Sequence, residues 1–252
     1  MRTTGNTILI TGGGSGIGRG LAEAFHKLGN HVIIGGRRRA VLEQTAAANP
    51  GMEFLILDTI DRMSIQAAAD QVTARFPELN VIVNNAGVQR VIDFAADQPV
   101  DEGAVAEEIN TNVLGVIGMV SAFLPHLKRT PAAVIINVSS GLAFVPIARF
   151  PVYCATKAFI HSFSMSLRHQ LRNTGVRVIE LAPPWVATEL DSAHAPQITN
   201  TGMTPMPLDA FINAAMVELA SDSEELPIAG AKFLHSGGVS EKAAAIFAQL
   251  NR

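Results

Sequence analysis

The stretch "TILITGGGSGIGRG" (7–20) runs a short block of β-formers straight into a glycine cluster and then into a helical segment. Residues 7–11 read as a buried strand, and Gly12, Gly13, Gly14, Gly16 and Gly18 crowd the turn that follows. Glycines let a backbone turn tightly and approach a pyrophosphate, while Ser15, Gly16 and Ile17 stand where free N–H groups open a helix toward an anion. The spacing is not G-x-G-x-x-G in any register. Its place on the first β–α turn nevertheless points to a nucleotide, the alternative being a tight loop without ligand.

The same alternation continues outward from this turn. Strand-like runs fall at "HVIIG" (31–35), "EFLIL" (53–57), "VIVNN" (81–85), "AVIINV" (133–138) and "VRVIEL" (176–181), separated by segments of helical spacing. Runs nearly continuous in Val, Ile and Leu suit strands covered on both faces of a parallel sheet. The pattern predicts an α/β doubly wound parallel sheet in three α/β/α layers, forming a single domain over residues 1–252. The polar stretch 188–211, with three prolines, reads as a substrate loop or lid. Beyond Ala229 a short strand is expected, then a terminal helix over 239–252.

Composition narrows the classes of function. The chain is 48% hydrophobic and 16% charged, with a net charge of −3, which gives no electrostatic reason for a nucleic-acid or anionic-membrane partner. One cysteine forms no internal disulfide, so a reducing, cytoplasmic setting is expected. Seven scattered histidines and no C-x-x-C give no metal site by spacing. The N-terminus reaches its glycines too soon for a secretory signal, and the uncharged run 111–127 reads as a buried or interface helix.

The end of the second strand bears on the choice of cofactor. A dinucleotide site usually places an acid there for the ribose 2′-hydroxyl, whereas "GGRRRAVLEQ" (35–44) offers Arg37, Arg38 and Arg39. Guanidinium groups hold a 2′-phosphate that a carboxylate would repel, so NADP(H) is expected over NAD(H).

"PVYCATKAFI" (151–160) holds the only tyrosine, Tyr153, with Lys157 four residues on, so that both share one helix face. A free phenol titrates at about 10. A neighbouring ammonium favours the phenolate and brings that value toward the working range. Ser140 closes the strand-like run thirteen residues earlier and stands where α/β sheets bind ligands.

Together these residues resemble the short-chain dehydrogenase/reductase family over residues 7–190, with its Rossmann-like fold. T-G-x-x-x-G-x-G is met by Thr11, Gly12, Gly16 and Gly18, and N-N-A-G by Asn84, Asn85, Ala86 and Gly87. The Ser and Y-x-x-x-K positions fall on Ser140, Tyr153 and Lys157, and N-x-x-G on Asn112 and Gly115, with Asn110 a second choice. The resemblance implies Tyr153 as acid/base, Ser140 positioning the substrate, and Lys157 holding the nicotinamide ribose while lowering the phenol pKa. It further implies Asn112 supporting a proton-relaying water, Asp58 with Thr59 at the adenine, and Pro183, Val186 and Thr188 along the nicotinamide. The expected reaction interconverts a secondary alcohol and a ketone or aldehyde, in a homodimer or homotetramer. "APPWVATEL" (182–190) departs from the family's P-G, placing Pro184 at the glycine position, a feature resembling the DltE-type oxidoreductase branch.

The remaining residues receive plainer readings. Cys154 is expected to be an inert filler, and His126, His161 and His169 ordinary helix residues. Trp185 either walls the pocket or packs. A non-catalytic cofactor sensor is the rival, although such a module needs no Ser–Tyr–Lys set; a serine hydrolase lacks its G-x-S-x-G elbow.

Overall fold

The computed structural model describes residues 1–192 and 204–238. Its strands are β1 (Thr7–Thr11), β2 (His31–Gly36), β3 (Glu53–Ile56), β4 (Leu79–Asn84), β5 (Val134–Val138), β6 (Arg177–Ala182) and β7 (Glu225–Pro227). All pair in parallel, in the order β3-β2-β1-β4-β5-β6-β7. Successive side chains serve opposite faces: Ile8 and Ile10 enter one core cluster and Leu9 the other, as do Val81 and Val83 against Ile82. Both faces are therefore apolar, which is why these strands read as unbroken Val, Ile and Leu runs.

Over the first face lie α1 (Gly16–Lys27), α2 (Arg39–Ala48) and α8 (Leu208–Leu219), through Leu21, Phe25, Leu42, Phe211 and Ala215. Over the second lie α3 (Arg62–Arg75), α5 (Gly115–Leu127) and α6 (Pro151–Leu171), through Ile65, Met119, Phe123, Leu167 and Leu171. Burying each large side chain contributes roughly 1.5–3 kcal/mol, so the two clusters together hold the layers. A one-residue shift in any strand would exchange its faces and forfeit that burial.

Helix α4 (Glu102–Ile109) runs into α5 through a π-helical turn, Asn110–Leu114. The span Glu102–Leu127 is long and apolar enough to cross a membrane by composition alone. In the fold its Met119, Val120, Phe123 and Leu127 face is instead packed on the sheet.

Two expectations change. The strand looked for after Ala229 lies earlier, as β7, and the segment beyond it forms α9 (Gly230–Gly238), whose Ala231 and Leu234 meet the turn after β5 at Gly141. Their i, i+3 spacing is helical rather than alternating. Within 188–211 a short α7 (Glu189–Ser192) follows β6, and Met206 bridges to Val186 before α8 begins. Residues 193–203 of the expected loop and the expected helix 239–252 lie outside the described residues.

Candidate active site

The strand order reverses between β1 and β4, and there the crevice opens. Thr11 ends β1, and its Oγ1 accepts from the backbone N–H groups of Asn85 and Ala86, both at 3.0 Å, while donating to the Val83 carbonyl at 3.2 Å. Asn85 Nδ2 returns a bond to the Thr11 carbonyl at 2.9 Å. One hydroxyl thus pins the two loops flanking the crevice, which is the structural content of the paired TG and NNAG motifs. Gly12 turns with φ +65°, and a Cβ on Gly18 would stand 2.4 Å from both the Gly12 carbonyl and Asn85 Nδ2. Gly18 therefore lets α1 close on this turn from behind, outside the cleft lining.

A cleft of about 570 Å³ runs from here across the carboxyl ends of the strands. Gly12, Ser15, Gly16, Ile17, Arg37, Arg38, Asp58, Thr59, Asn85, Ala86 and Gly87 line it. Ser140, Tyr153, Lys157, Pro183, Val186 and Thr188 line it too, with Thr188 against Gly16 and Lys157 near Gly87. Asp58 caps its own turn by accepting from the Ile60 N–H at 3.1 Å. Arg38 donates to Ser15 Oγ at 2.7 Å and reaches Glu189 at 3.4 Å, while Arg37 stands 3.8 Å from Glu107. Arg38 and Arg39 sit at the N-terminal end of α2, where no acid offsets the helix dipole. Two exposed guanidinium groups beside the cleft mouth, at the helix end that disfavours them, fit a phosphate.

At the other end, α6 begins at Pro151, so Tyr153 and Lys157 fall one turn apart on its inner face. Lys157 is fully inside the wall, and Nζ donates to the Val138 carbonyl at 2.9 Å. The same nitrogen stands 5.5 Å from the centroid of the Tyr153 ring. Burial lowers the Lys157 pKa to about 8, against the opposing pull of Glu180 and Glu108. Ser140 is extended at the end of β5, and its Oγ accepts from the Leu142 N–H at 3.1 Å, leaving its own proton free to donate.

Asn112 does not line the cleft. It is buried on the π turn, accepting from the Val88 N–H at 2.9 Å and donating to the Val88 carbonyl at 2.8 Å and to Thr156 Oγ1 at 3.1 Å. A π turn is frequent at functional sites. Here it clamps the loop after β4 against α6. Glu108, one turn before Asn112, is buried, accepts from the Arg90 N–H at 3.2 Å and is pushed up to about 7 by burial. Pro184 lies in a turn with no positive φ, so proline at this position costs no backbone strain. Cys154 is buried, and burial pushes its thiol up, as a filler requires.

Residues 6–199 match the model of the short chain dehydrogenase family. The chain belongs to that family. Its relative in Bacillus subtilis (strain 168), described as "Uncharacterized oxidoreductase DltE", is 47% identical over 193 residues, covering 76% of this chain and 75% of the relative. A short chain dehydrogenase from Burkholderia cenocepacia J2315, solved in complex with NADP, superposes with a TM-score of 0.81 at 26% identity over 99% of both chains. The 3-ketoacyl-(acyl-carrier-protein) reductase of Brucella melitensis, complexed with NADH, gives 0.78 at 27% identity, covering 89% of this chain and 97% of that one.

This short chain dehydrogenase also lines its cleft with residues that the sequence did not nominate. Gln89 and Thr111 face it from the β4 side and Leu234 from α9; the loop after Ser140, whose place at the pocket was expected, adds Ile147 and Phe150. Phe150 was within reach, since it precedes the tyrosine motif. Leu234 was not, because nothing local ties α9 to a strand loop more than ninety residues earlier. Trp185 does line the cleft, beside the Met206 bridge, where its carbonyl accepts from the Met206 N–H at 2.9 Å.

Proposed function

We propose that the protein is an NADP(H)-dependent oxidoreductase interconverting a secondary alcohol and a ketone or aldehyde. The observation that carries this reading is a single cleft with exposed arginines at one end and a buried Tyr–Lys pair at the other. Gly12, Ser15, Gly16 and Ile17 would hold the pyrophosphate, Arg37 and Arg38 the 2′-phosphate, and Asp58 and Thr59 the adenine. Asn85, Ala86, Gly87, Pro183, Val186 and Thr188 would face the ribose and nicotinamide. When bound, the nicotinamide supplies or accepts the hydride.

The chain's own residues manage the substrate oxygen. For reduction, Tyr153 gives it a proton while the Ser140 hydroxyl donates a hydrogen bond to the growing negative charge. The Lys157 ammonium spends one donor on Val138, which leaves two for the ribose, and its charge acts on the phenol. Asn112 supports the relay that reprotonates Tyr153, through the loop it clamps. Leu142, Ile147, Phe150 and Leu234 give the substrate end an apolar wall, and Thr188, Glu189 and Leu190 border it at the start of the expected substrate loop.

Exposed Ile109, Leu114 and Phe159, on the α4–α5 and α6 surfaces, support a homodimer or homotetramer, to be read by light scattering. Phe159 stacks on Phe163, with ring centroids at 5.9 Å. The whole chain acts as one domain, and its lone buried thiol suits the cytoplasm.

The test is Tyr153→Phe, assayed by NADPH oxidation against a panel of ketones and aldehydes. Turnover should fall by about 10³-fold or more, with NADPH affinity nearly intact. A Phe variant at near wild-type rate would remove the mechanism.

A further inference from the structure

Behind Lys157 lies a set of charges that the reaction as described does not use. Tyr153, Lys157 and His161 follow one another at four-residue steps on the inner stripe of α6. Beneath them, between the apolar Ile179 and Leu181, β6 carries Glu180, which is 0% exposed. In register Glu180 stands opposite Asn137, the residue before the Val138 whose carbonyl takes the lysine ammonium. A bare carboxylate in such a place is costly unless paired. His161 Nδ1 donates to its Oε2 at 2.8 Å, while Oε1 has no hydrogen-bond partner among the described residues.

We propose that Glu180 and His161 are positioning residues, a buried counter-charge and its anchor, which keep the Lys157 ammonium charged and fixed in the cleft wall. The inference rests on the role given to Lys157 above. The groups facing this pair are few and identifiable. Glu225 on β7 lies 3.5 Å from His161 Nδ1, and His235 on α9 donates to that same Glu225 oxygen at 3.0 Å. Arg168, further along α6, is spent on Glu224 at 3.2 Å and on the Val178 carbonyl at 3.1 Å. Glu108, on α4, adds a weaker pull on the Lys157 charge. Phe144 sets its ring edge-on to both imidazoles, with centroids at 5.0 and 4.8 Å, and so fixes their planes.

The electrostatic balance agrees with this geometry. Burial lowers Lys157, and among the opposing charges Glu180 acts most strongly, ahead of Glu108. Burial also lowers His161, but the hydrogen bond and charge of Glu180, with the charge of Glu225, outweigh it and raise the imidazole. A hydrogen-bonded imidazole–carboxylate pair results, with the ammonium as second neighbour.

The donor atoms of His161, Glu180 and Glu225 all lie within 4.8 Å of one another, so a metal ion is the competing occupant. Ligands on a tetrahedral ion, with bonds of about 2.0–2.1 Å, stand roughly 3.3 Å apart. The 2.8 Å approach of His161 to Glu180 is instead that of an N–H···O bond. The geometry favours a proton.

The experiment follows NADPH affinity against pH, by cofactor fluorescence without substrate, in wild type, Glu180→Gln, His161→Leu and His161→Gln. It also follows the ultraviolet absorbance of the phenolate in cofactor-free protein, to which the chain's single tyrosine alone contributes. Glu180→Gln should move the alkaline loss of NADPH affinity down by about one pH unit, a tenfold change in the lysine's proton affinity, and raise the phenolate midpoint. His161→Leu should shift both in the same directions, whereas His161→Gln, which still offers an N–H to Glu180, should return them toward wild type.

Unmoved limbs in Glu180→Gln, or equal shifts from Leu and Gln at position 161, would overturn the proposal. If Glu180→Gln fails to fold by circular dichroism, the two position-161 variants decide by the same criterion. A wild-type limb that moves on adding zinc and returns with a chelator would replace the proton by a metal. An inactive Tyr153→Phe beside unmoved limbs sinks only the positioning role; an active Tyr153→Phe sinks the reaction on which it rests.

Discussion

Arg38 and Lys157 carry the same formal charge at opposite ends of one cleft, yet their surroundings make them answer to different variables. Arg38 is 60% exposed at the mouth and holds Glu189 across 3.4 Å, a pair that salt screens and that contributes less than about 1 kcal/mol by itself. Lys157 is 5% exposed and has lost its water, so salt scarcely reaches it while protons do. The mouth therefore recognises the charge of what binds, and the wall sets the protonation of what reacts. A cation kept in water selects; a cation taken out of water tunes.

Replacing the wall cation should have the largest consequence. Lys157→Met is expected to lower kcat by about 10²–10⁴-fold, the range of a lost acid–base function, and a loss under tenfold would erase the distinction. At the mouth, Arg37→Ala with Arg38→Ala should weaken NADPH binding by roughly 10–100-fold and flatten its salt dependence, leaving NADH nearly unchanged. Equal losses for both cofactors, read by fluorescence titration, would mean the arginines do not read the 2′-phosphate.

The pH response should separate the two ends again. The ammonium is present below its folded value of about 8 and is lost above it, so wild-type NADPH affinity should decline by several-fold from neutrality to beyond that value. A decline that tracked salt and not pH would assign the effect to the mouth.

The smallest effect concerns Glu108. Its folded pKa is raised from 4.5 to about 7, so it binds protons more tightly folded than unfolded. Its favourable contribution is complete below 4.5 and is lost as pH rises through about 7. Glu108→Gln should therefore melt at the same temperature as wild type or slightly higher in mild alkali, and a marked fall in Tm would show the carboxylate to be paired.

How far each region could be read from the chain follows the same division. The glycine turn, the arginines after β2 and the Tyr153–Lys157 step are local: their meaning lies in adjacent residues, in turn chemistry and in helix periodicity. The sheet was legible because both faces of each strand are buried, although Asn85 leaves the β4 ladder to bond Thr11. The pair behind Lys157 was not legible. Glu180 looks like a polar interruption in a strand, and His161 like any helix histidine, until β6 is laid beside α6. Likewise β7, three residues ending in Pro227, is too short to show alternation, and Leu234 reaches the cleft only because α9 packs on Gly141. Asn112 lies on the π turn ahead of α5, and its neighbours in the chain do not show that its amide would be turned to Val88.

The central claim is that a buried ammonium tunes a single phenol. It is tested most directly by titrating the phenolate absorbance of cofactor-free wild type beside Lys157→Met, since no other tyrosine in the chain contributes. The expected result is a midpoint about one pH unit or more higher in the methionine variant, the phenol having lost the charge that favours its anion. Coincident midpoints in the two proteins would contradict it.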